Sequence, residues 1–238
     1  MPEQLERVGE TALEGVEFGT LDDVSLEEVA SVLDQTGLVA VAARVDLERF
    51  HDEYQSLVET YDLLDCSRFV VTDLSPDPFA SEVVATENAN RLSDIGNRLE
   101  EDGFELLYDV EFSKLTDDGG LPAFETFIDE LSPEVGLQVD TGCARYEGFD
   151  PVAVMTRYPD RIPVVHLTDT VVGSRRTRCV ELGAGEVDLE RCVLAARTTD
   201  VEWITYEHQQ TTDPLDSLVH AETLLPQLSK RAKESYRA

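Results

Sequence analysis

Apolar residues recur along this chain in two alternating rhythms, a period of two over short runs and a period near 3.6 over longer ones. The first rhythm predicts seven strands, at 15–19, 38–45, 68–74, 104–112, 135–140, 162–167 and 201–207. The second predicts helices over 3–14, 25–35, 46–64, 87–101, 122–131, 150–157, 188–197 and 213–228. Local chemistry marks the boundaries. Ser25-Leu-Glu-Glu28 is a capping box, Asp46 caps the long helix, and Gly37 and Gly103 sit where helices stop. Asp150, Asp188 and Asp213 stand at helix N-caps, two of them followed by Pro at the first helical position.

Strands alternating with helices predict parallel β-structure joined by right-handed crossovers. No linker or low-complexity segment interrupts the alternation, so residues 1–238 are expected to form a single domain. Strand parity narrows the architecture. Phe104, Leu106, Tyr108, Val110 and Phe112 form one face, while Leu107, Asp109 and Glu111 form the other. Val135, Leu137 and Val139 oppose Gln138 and Asp140; Ile204 and Tyr206 oppose Trp203, Thr205, Glu207 and Gln209. Acids that share the less apolar parity need a common centre, which a parallel barrel offers and a doubly wound sheet does not. The expected fold class is α/β, a TIM-type barrel with seven visible strands and the first strand absent.

Charge changes the picture next. Fifty acidic residues face sixteen Arg and three Lys, for a net charge of −31. Dense carboxylates with few Lys mark a halophilic surface, hydrated and dispersed in concentrated salt. The same field disfavours nucleic acid as a partner. Cys66, Cys143, Cys179 and Cys192 are scattered without C-x-x-C spacing, as in a reduced cytoplasmic enzyme. No apolar run approaches a membrane span, and the polar N-terminus is unlike a signal peptide. The protein is therefore expected to be soluble and cytoplasmic, without a membrane partner.

Three strand ends carry the candidate chemistry: Val-Asp140-Thr-Gly, Val-Val-His166-Leu-Thr-Asp and Ile-Thr-Tyr-Glu207-His. Taken singly, Asp140 suits a helix cap, His166 a core histidine and Glu207 a surface strand end. Taken together, carboxylates and one imidazole at corresponding depth suit one divalent ion: Mn²⁺, Co²⁺, Mg²⁺ or Zn²⁺. Such a site leaves positions for adjacent oxygens of a polyol or keto sugar, and a carboxylate beside it removes the proton next to the carbonyl.

These residues also carry a resemblance. Val-Asp140-Thr-Gly, Phe149-Asp-Pro151, Tyr158-Pro-Asp-Arg161, Val165-His-Leu-Thr-Asp169, Leu182-Gly-Ala-Gly-Glu-Val-Asp188, Tyr206-Glu207 and Asp213-Pro-Leu215 occur in that order across about 103–225. The set resembles the sugar phosphate isomerase/epimerase superfamily with the xylose isomerase-like TIM barrel, in a haloarchaeal-type member. Inosose dehydratases and endonuclease IV share that superfamily. The resemblance implies a metal held by Asp109, Asp140, His166 and Glu207. It implies that Glu207 and a fifth-strand acid, Asp109 or Glu111, flank the substrate carbon as base and acid. Glu111, Lys114 and Arg176 are then substrate contacts, with Arg175 and Arg178 in the same loop as Arg176. His208 is expected to point away from the metal, and 229–238 to be a frayed end.

The chain departs from the family pattern in three places. Asp109 is one methylene shorter than the usual Glu. Cys143 stands where many members have His. The first strand is missing: either the coding sequence begins upstream of Met1, or the barrel is open and a homodimer covers its edges. The resemblance thus implies an isomerase or epimerase acting on a sugar or sugar phosphate through an enediolate. The alternatives are a keto-polyol dehydratase of the same fold or a non-catalytic descendant that binds a sugar or a partner. A three-zinc endonuclease needs more histidines than the four present, two of which (His51 and His220) fall on predicted helices.

Charge repulsion sets the first prediction. Screening lengths fall from about 10 Å at 0.1 M salt to about 3 Å at 1 M. Raising KCl over that range is expected to raise the thermal unfolding midpoint, followed by circular dichroism; a midpoint independent of salt contradicts the halophilic reading.

Overall fold

The computed structural model describes residues 1–19, 21, 24–74, 76–116, 119–173 and 179–236, with backbone only for residues 235 and 236. Two compact units are distinguished, Met1–Gly136 and Leu137–Ala238.

The first unit opens with α1 (Pro2–Gly9), β1 (Gly15–Phe18), α2 (Leu26–Thr36) and β2 (Val39–Arg44). It continues through α3 (Arg49–Asp52), α4 (Tyr54–Asp62), β3 (Arg68–Val71), α5 (Glu82–Glu101), β4 (Glu105–Asp109), a 3₁₀ turn (Phe112–Leu115), α6 (Gly120–Glu130) and the start of β5 (Val135–Asp140). The caps behave as the sequence predicts at α2. Ser25 Oγ accepts from Glu28 N at 3.3 Å, and Gly37 ends the helix at φ 72°, a conformation that costs glycine no Cβ clash. Pairing of β1, β2, β3 and β4 is parallel throughout. Phe69 on β3, fully buried, anchors the core: Phe50 and Tyr61 meet it edge-on and Phe104 stacks on it at 5.2 Å. Burying such a ring contributes roughly 2–3 kcal/mol.

Helix α1 stops at Gly9 and β3 at Val71, short of the expected 14 and 74, Glu48 instead of Asp46 stands at the N-cap of α3, and three further expectations in this unit need correction. The helix expected over 46–64 is two, broken at Glu53 (φ −125°, ψ 15°). Phe50, Tyr54, Leu57 and Tyr61 keep helical spacing across the break, so periodicity does not reveal it. Separate docking does: Phe50 packs on Phe69, whereas Tyr54 Oη donates to Arg98 O at 3.0 Å and Asp102 Oδ2 at 2.7 Å. Next, α5 starts five residues earlier than the pattern indicates, with Ser81 Oγ accepting from Val84 N. Its first turn exposes Val83, which obscures the amphipathic signal. Finally, β4 ends at Asp109 instead of 112. Glu111 adopts φ −77°, ψ 77° and Phe112 N donates to Val110 O at 2.9 Å, an inverse γ-turn that ends the alternation.

The second unit holds the rest of β5, then α7 (Thr141–Tyr146), α8 (Pro151–Arg157), β6 (Val164–Leu167), β7 (Asp169–Thr170), β8 (Cys179–Val180), α9 (Leu189–Thr198), β9 (Trp203–Tyr206) and α10 (Pro214–Tyr236). Parallel pairs join β5 to β6 and β6 to β9, and β7 pairs antiparallel with β8. The strand order of the main sheet is β1-β2-β3-β4-β5-β6-β9, so the seven parallel strands lie in chain order. The three Asp caps form as expected, with Asp150, Asp188 and Asp213 accepting from Val152, Arg191 and Asp216 N. Helix α7 and the β7–β8 arm were not expected. Nor was the reach of α10: 229–236 is helical, not frayed, because Leu228 and Ala232 are buried. Among the described residues, no helix is long and apolar enough to cross a membrane.

Asp169 organises the loop after the arm. Its Oδ1 accepts from Thr170 N and Val187 N, and its Oδ2 from Gly183 N and Gly185 N, all at 2.9–3.0 Å. Gly185 is required there, since a Cβ would run into Asp169 Oδ1 and Thr170 O. The carboxylate is 2 % exposed. Asp169→Ala strands four backbone donors, and a loss of roughly 3 kcal/mol is expected in denaturant unfolding. A loss below about 1 kcal/mol, the size of one ordinary hydrogen bond, contradicts this organising role.

Candidate metal centre

Parallel pairing aligns the three strand ends. Asp140 is the register partner of His166, and His166 is the partner of Thr205. Glu207 stands two residues beyond Thr205 and so projects to the same side. One ligand atom from each of Asp140, His166 and Glu207 lies within 4.8 Å of the others. His166 Nδ1 is 3.2 Å from Glu207 Oε2. Asp140 and His166 are buried, whereas the Glu207 side chain is 25 % exposed.

Hydrogen bonds set the Asp140 carboxylate. Cys143 N and Thr168 Oγ1 both donate to Oδ1, each at 2.6 Å. Asp140 is thus the N-cap of α7, as its place at a strand end suggests, yet both donors use one oxygen and the cap does not consume Oδ2. Thr168 Oγ1 in turn accepts from Gly142 N at 2.7 Å, an approach that a Cβ at residue 142 would block. A reciprocal pair completes the junction: Thr141 Oγ1 donates to Thr168 O at 2.8 Å and accepts from Thr168 N at 3.0 Å. Thr168, two residues past His166 on the same parity, escaped the sequence reading; its spacing was the available signal.

Chemically, the trio offers two carboxylates and one imidazole. That mixed oxygen and nitrogen set fits a divalent ion and leaves coordination positions for small oxygen ligands.

Beside Glu207, Tyr206 Oη donates to Glu181 Oε2 at 3.2 Å and His208 Nδ1 lies 3.2 Å from Glu181 Oε1. His208 therefore turns to Glu181. Burial, and Glu181 alongside, push the Tyr206 phenol up to about 12.

The other candidates belong to the first unit. Asp109 Oδ2 is 3.9 Å from Arg44 Nη2, and Arg44 Nε donates to Glu17 Oε1 at 3.2 Å. Asp109 is not in the clustered trio. Glu111 lies 3.5 Å from Tyr108 Oη. Burial first, and Asp73 second, raise the Glu111 carboxyl above its ordinary range, against the pull of Lys114 and the Tyr108 hydrogen bond. Lys114 Nζ donates to Pro76 O at 2.5 Å. A cavity of about 570 Å³ is lined by Gly19, Arg44, Asp46, Arg49, Glu53 and Thr72, at the C-terminal ends of β1, β2 and β3. Its two arginines have no sequence signal, because Arg44 at the end of β2 and Arg49 at the start of α3 look like solvated charges. Arg175, Arg176 and Arg178 lie outside the described residues.

With the geometry established, similarity to known proteins adds a family. Solved structures with the same fold include a sugar phosphate isomerase/epimerase from Parabacteroides distasonis (TM-score 0.78, 16% identity, covering 96% of this chain and 88% of that one). An IOLI protein with a bound zinc atom matches at TM-score 0.78 and 16% identity, covering 98% and 94%. The probable 3-DHS dehydratase AsbF of petrobactin synthesis from Bacillus anthracis matches at TM-score 0.77 and 16% identity, covering 94% and 92%. No curated protein matches by sequence. The model of one family, described as "Xylose isomerase-like TIM barrel", matches residues 5–229. The chain belongs to the xylose isomerase-like TIM barrel family.

Proposed function

We propose that this protein is a metal-dependent isomerase or epimerase of small sugars or sugar phosphates. The observation that carries the reading is the convergence of Asp140, His166 and Glu207 within 4.8 Å at the ends of three neighbouring parallel strands. Similarity to a sugar phosphate isomerase/epimerase and to a zinc-containing protein of the same fold supports it. Asp140, His166 and Glu207 would hold the ion; Asp109, the fourth ligand that the resemblance implies, stands outside this trio with Arg44 3.9 Å away. When bound, a divalent ion polarises the substrate carbonyl and so acidifies the adjacent C–H.

The side chains do the rest. Glu207, the partly exposed member of the trio, removes the proton next to the carbonyl, which leaves an enediolate. Asp109 or Glu111 returns a proton to the neighbouring carbon, and the raised pKa of Glu111 suits that donor role. Glu111, Lys114 and Arg176 contact the substrate. A keto-polyol dehydratase is the second reading, favoured by the similarity to a probable 3-DHS dehydratase. There the same proton abstraction is followed by loss of a β-hydroxyl. We also read the acid-rich composition as an adaptation to high salt.

Metal stoichiometry and proton exchange test the proposal together. Protein loaded with Mn²⁺ or Co²⁺ in molar KCl is expected to retain close to one ion per chain by elemental analysis. His166→Ala and Glu207→Gln are expected to weaken that binding by at least about 100-fold, the upper range for losing even an outer partner of a ligand. Loaded wild-type protein in D₂O should introduce deuterium beside the carbonyl of a ketose, seen by NMR, whereas Glu207→Gln should not. Retention of only a small fraction of one ion per chain sinks the metal reading; full loading with no exchange on any ketose or ketose phosphate leaves a binding protein.

A further inference from the structure

Glu207 has neighbours on both sides that share one anchor. Alternation past the end of β9 sends Tyr206 and His208 to the side opposite Glu207. Both meet Glu181, the residue that follows β8: Tyr206 Oη on Oε2 at 3.2 Å and His208 Nδ1 on Oε1 at 3.2 Å. The His208 side chain is 7 % exposed and packs against Glu181 within ion-pair distance, without a hydrogen bond from its Nδ1. Ser217, buried in the first turn of α10, donates a short hydrogen bond to the same Oε1 and is itself joined to Thr211 at 2.6 Å. Gln210 Oε1 accepts from Cys179 N at 3.1 Å. The segment leaving β9 is therefore tied down by hydrogen bonds at Tyr206, Gln210 and Thr211, with Glu207 inside the tied stretch. Burial works against the charge on Glu181, but the Ser217 hydrogen bond, His208, Tyr206 and His220 hold its carboxyl below the usual range. Ionised, it keeps all its acceptor sites.

We propose that Glu181 is a positioning residue for Glu207: by holding Tyr206 on one side of the chain, with His208 packed alongside, it fixes the direction in which Glu207 presents its carboxylate to His166 and the bound ion. The role rests on the metal reading above. It assigns a task to the β7–β8 arm, whose end carries Glu181. It also explains why a ligand that follows the last paired residue of its strand is held without a ladder of its own.

Cobalt binding by the full chain in molar KCl tests the proposal, because the visible absorption of bound Co²⁺ reports affinity and ligand geometry together. The single tryptophan, Trp203, lies on β9 and its emission reports packing of that strand. Glu181→Ala is expected to weaken Co²⁺ binding by about 10-fold and to alter the visible band, with Trp203 emission unchanged. Glu181→Gln, which keeps an acceptor for Ser217, is expected to recover part of the affinity. Should Glu181→Ala fail to fold, Tyr206→Phe keeps the ring and removes one hydrogen bond, and a weakening of roughly threefold is expected. Wild-type affinity and spectrum in Glu181→Ala, or in Tyr206→Phe where it is the only folded variant, overturn the proposal and leave the metal reading intact. Lost affinity with an emission shift toward that of the unfolded chain overturns it as well, since the effect is then general loosening. Wild-type protein that takes up no cobalt overturns the metal reading, and the positioning role falls with it.

Discussion

Parallel strands lie about 4.8 Å apart and alternate their side chains with a period of two, and the candidate centre depends on both facts at once. Register partners on neighbouring strands converge only if they project to the same side at the same height. Asp140 and His166 are such partners, and Thr205 extends the line to β9. A slip of one residue in either pair would send one ligand to the helix-packing face. The flanking valines and leucines prevent that slip: Val139, Val165 and Leu167 are buried on the opposite parity and would lose their packing. Hydrophobic register thus decides where the polar atoms go. Glu207 is the exception, because it lies past the last paired residue of its strand and takes its direction from side-chain anchors instead.

The sequence makes the repeating architecture legible because strand and helix periods differ and the caps are chemically explicit. Ser25, Gly37, Asp150, Asp188 and Asp213 all act as their residue types imply. What stays hidden is whatever tertiary contact decides against local pattern. The break at Glu53 leaves the apolar spacing intact, and the γ-turn at Glu111 falls inside a run that continues to alternate. The second case bears on the site, since the parity that grouped Glu111 with Asp109 stops at Asp109. The helical reach to Tyr236 escaped for a related reason: Ala232 is buried, yet the residues around it are charged and read as a solvated tail. For the centre itself, Asp140, His166 and Glu207 were legible from strand ends alone. Glu181 and Arg44 were not, because a charge that acts through another side chain has no periodic signature; Thr168 shares the parity of His166, but a hydroxyl there does not announce its bond to Asp140.

Composition and site meet in how the second unit treats its acids. Fifty carboxylates against nineteen cationic side chains leave few ion pairs to share, so buried acids need other partners. Among the described residues, Asp169 is held by four backbone N–H groups, and Asp140 by one N–H and one hydroxyl. Glu181 is held by two hydroxyls, from Tyr206 and Ser217. Neutral donors of this kind stabilise an anion while leaving its net charge in place. Two carboxylates within a few ångströms of one imidazole repel each other whenever both are ionised, and the repulsion is strongest where burial lowers the local dielectric. A divalent cation relieves it, and the repulsion between Asp140 and Glu207 becomes attraction of both to a common point. On the metal reading proposed above, the shortage of Lys and Arg thus leaves Asp140 and Glu207 as a pair of carboxylates that a divalent ion suits.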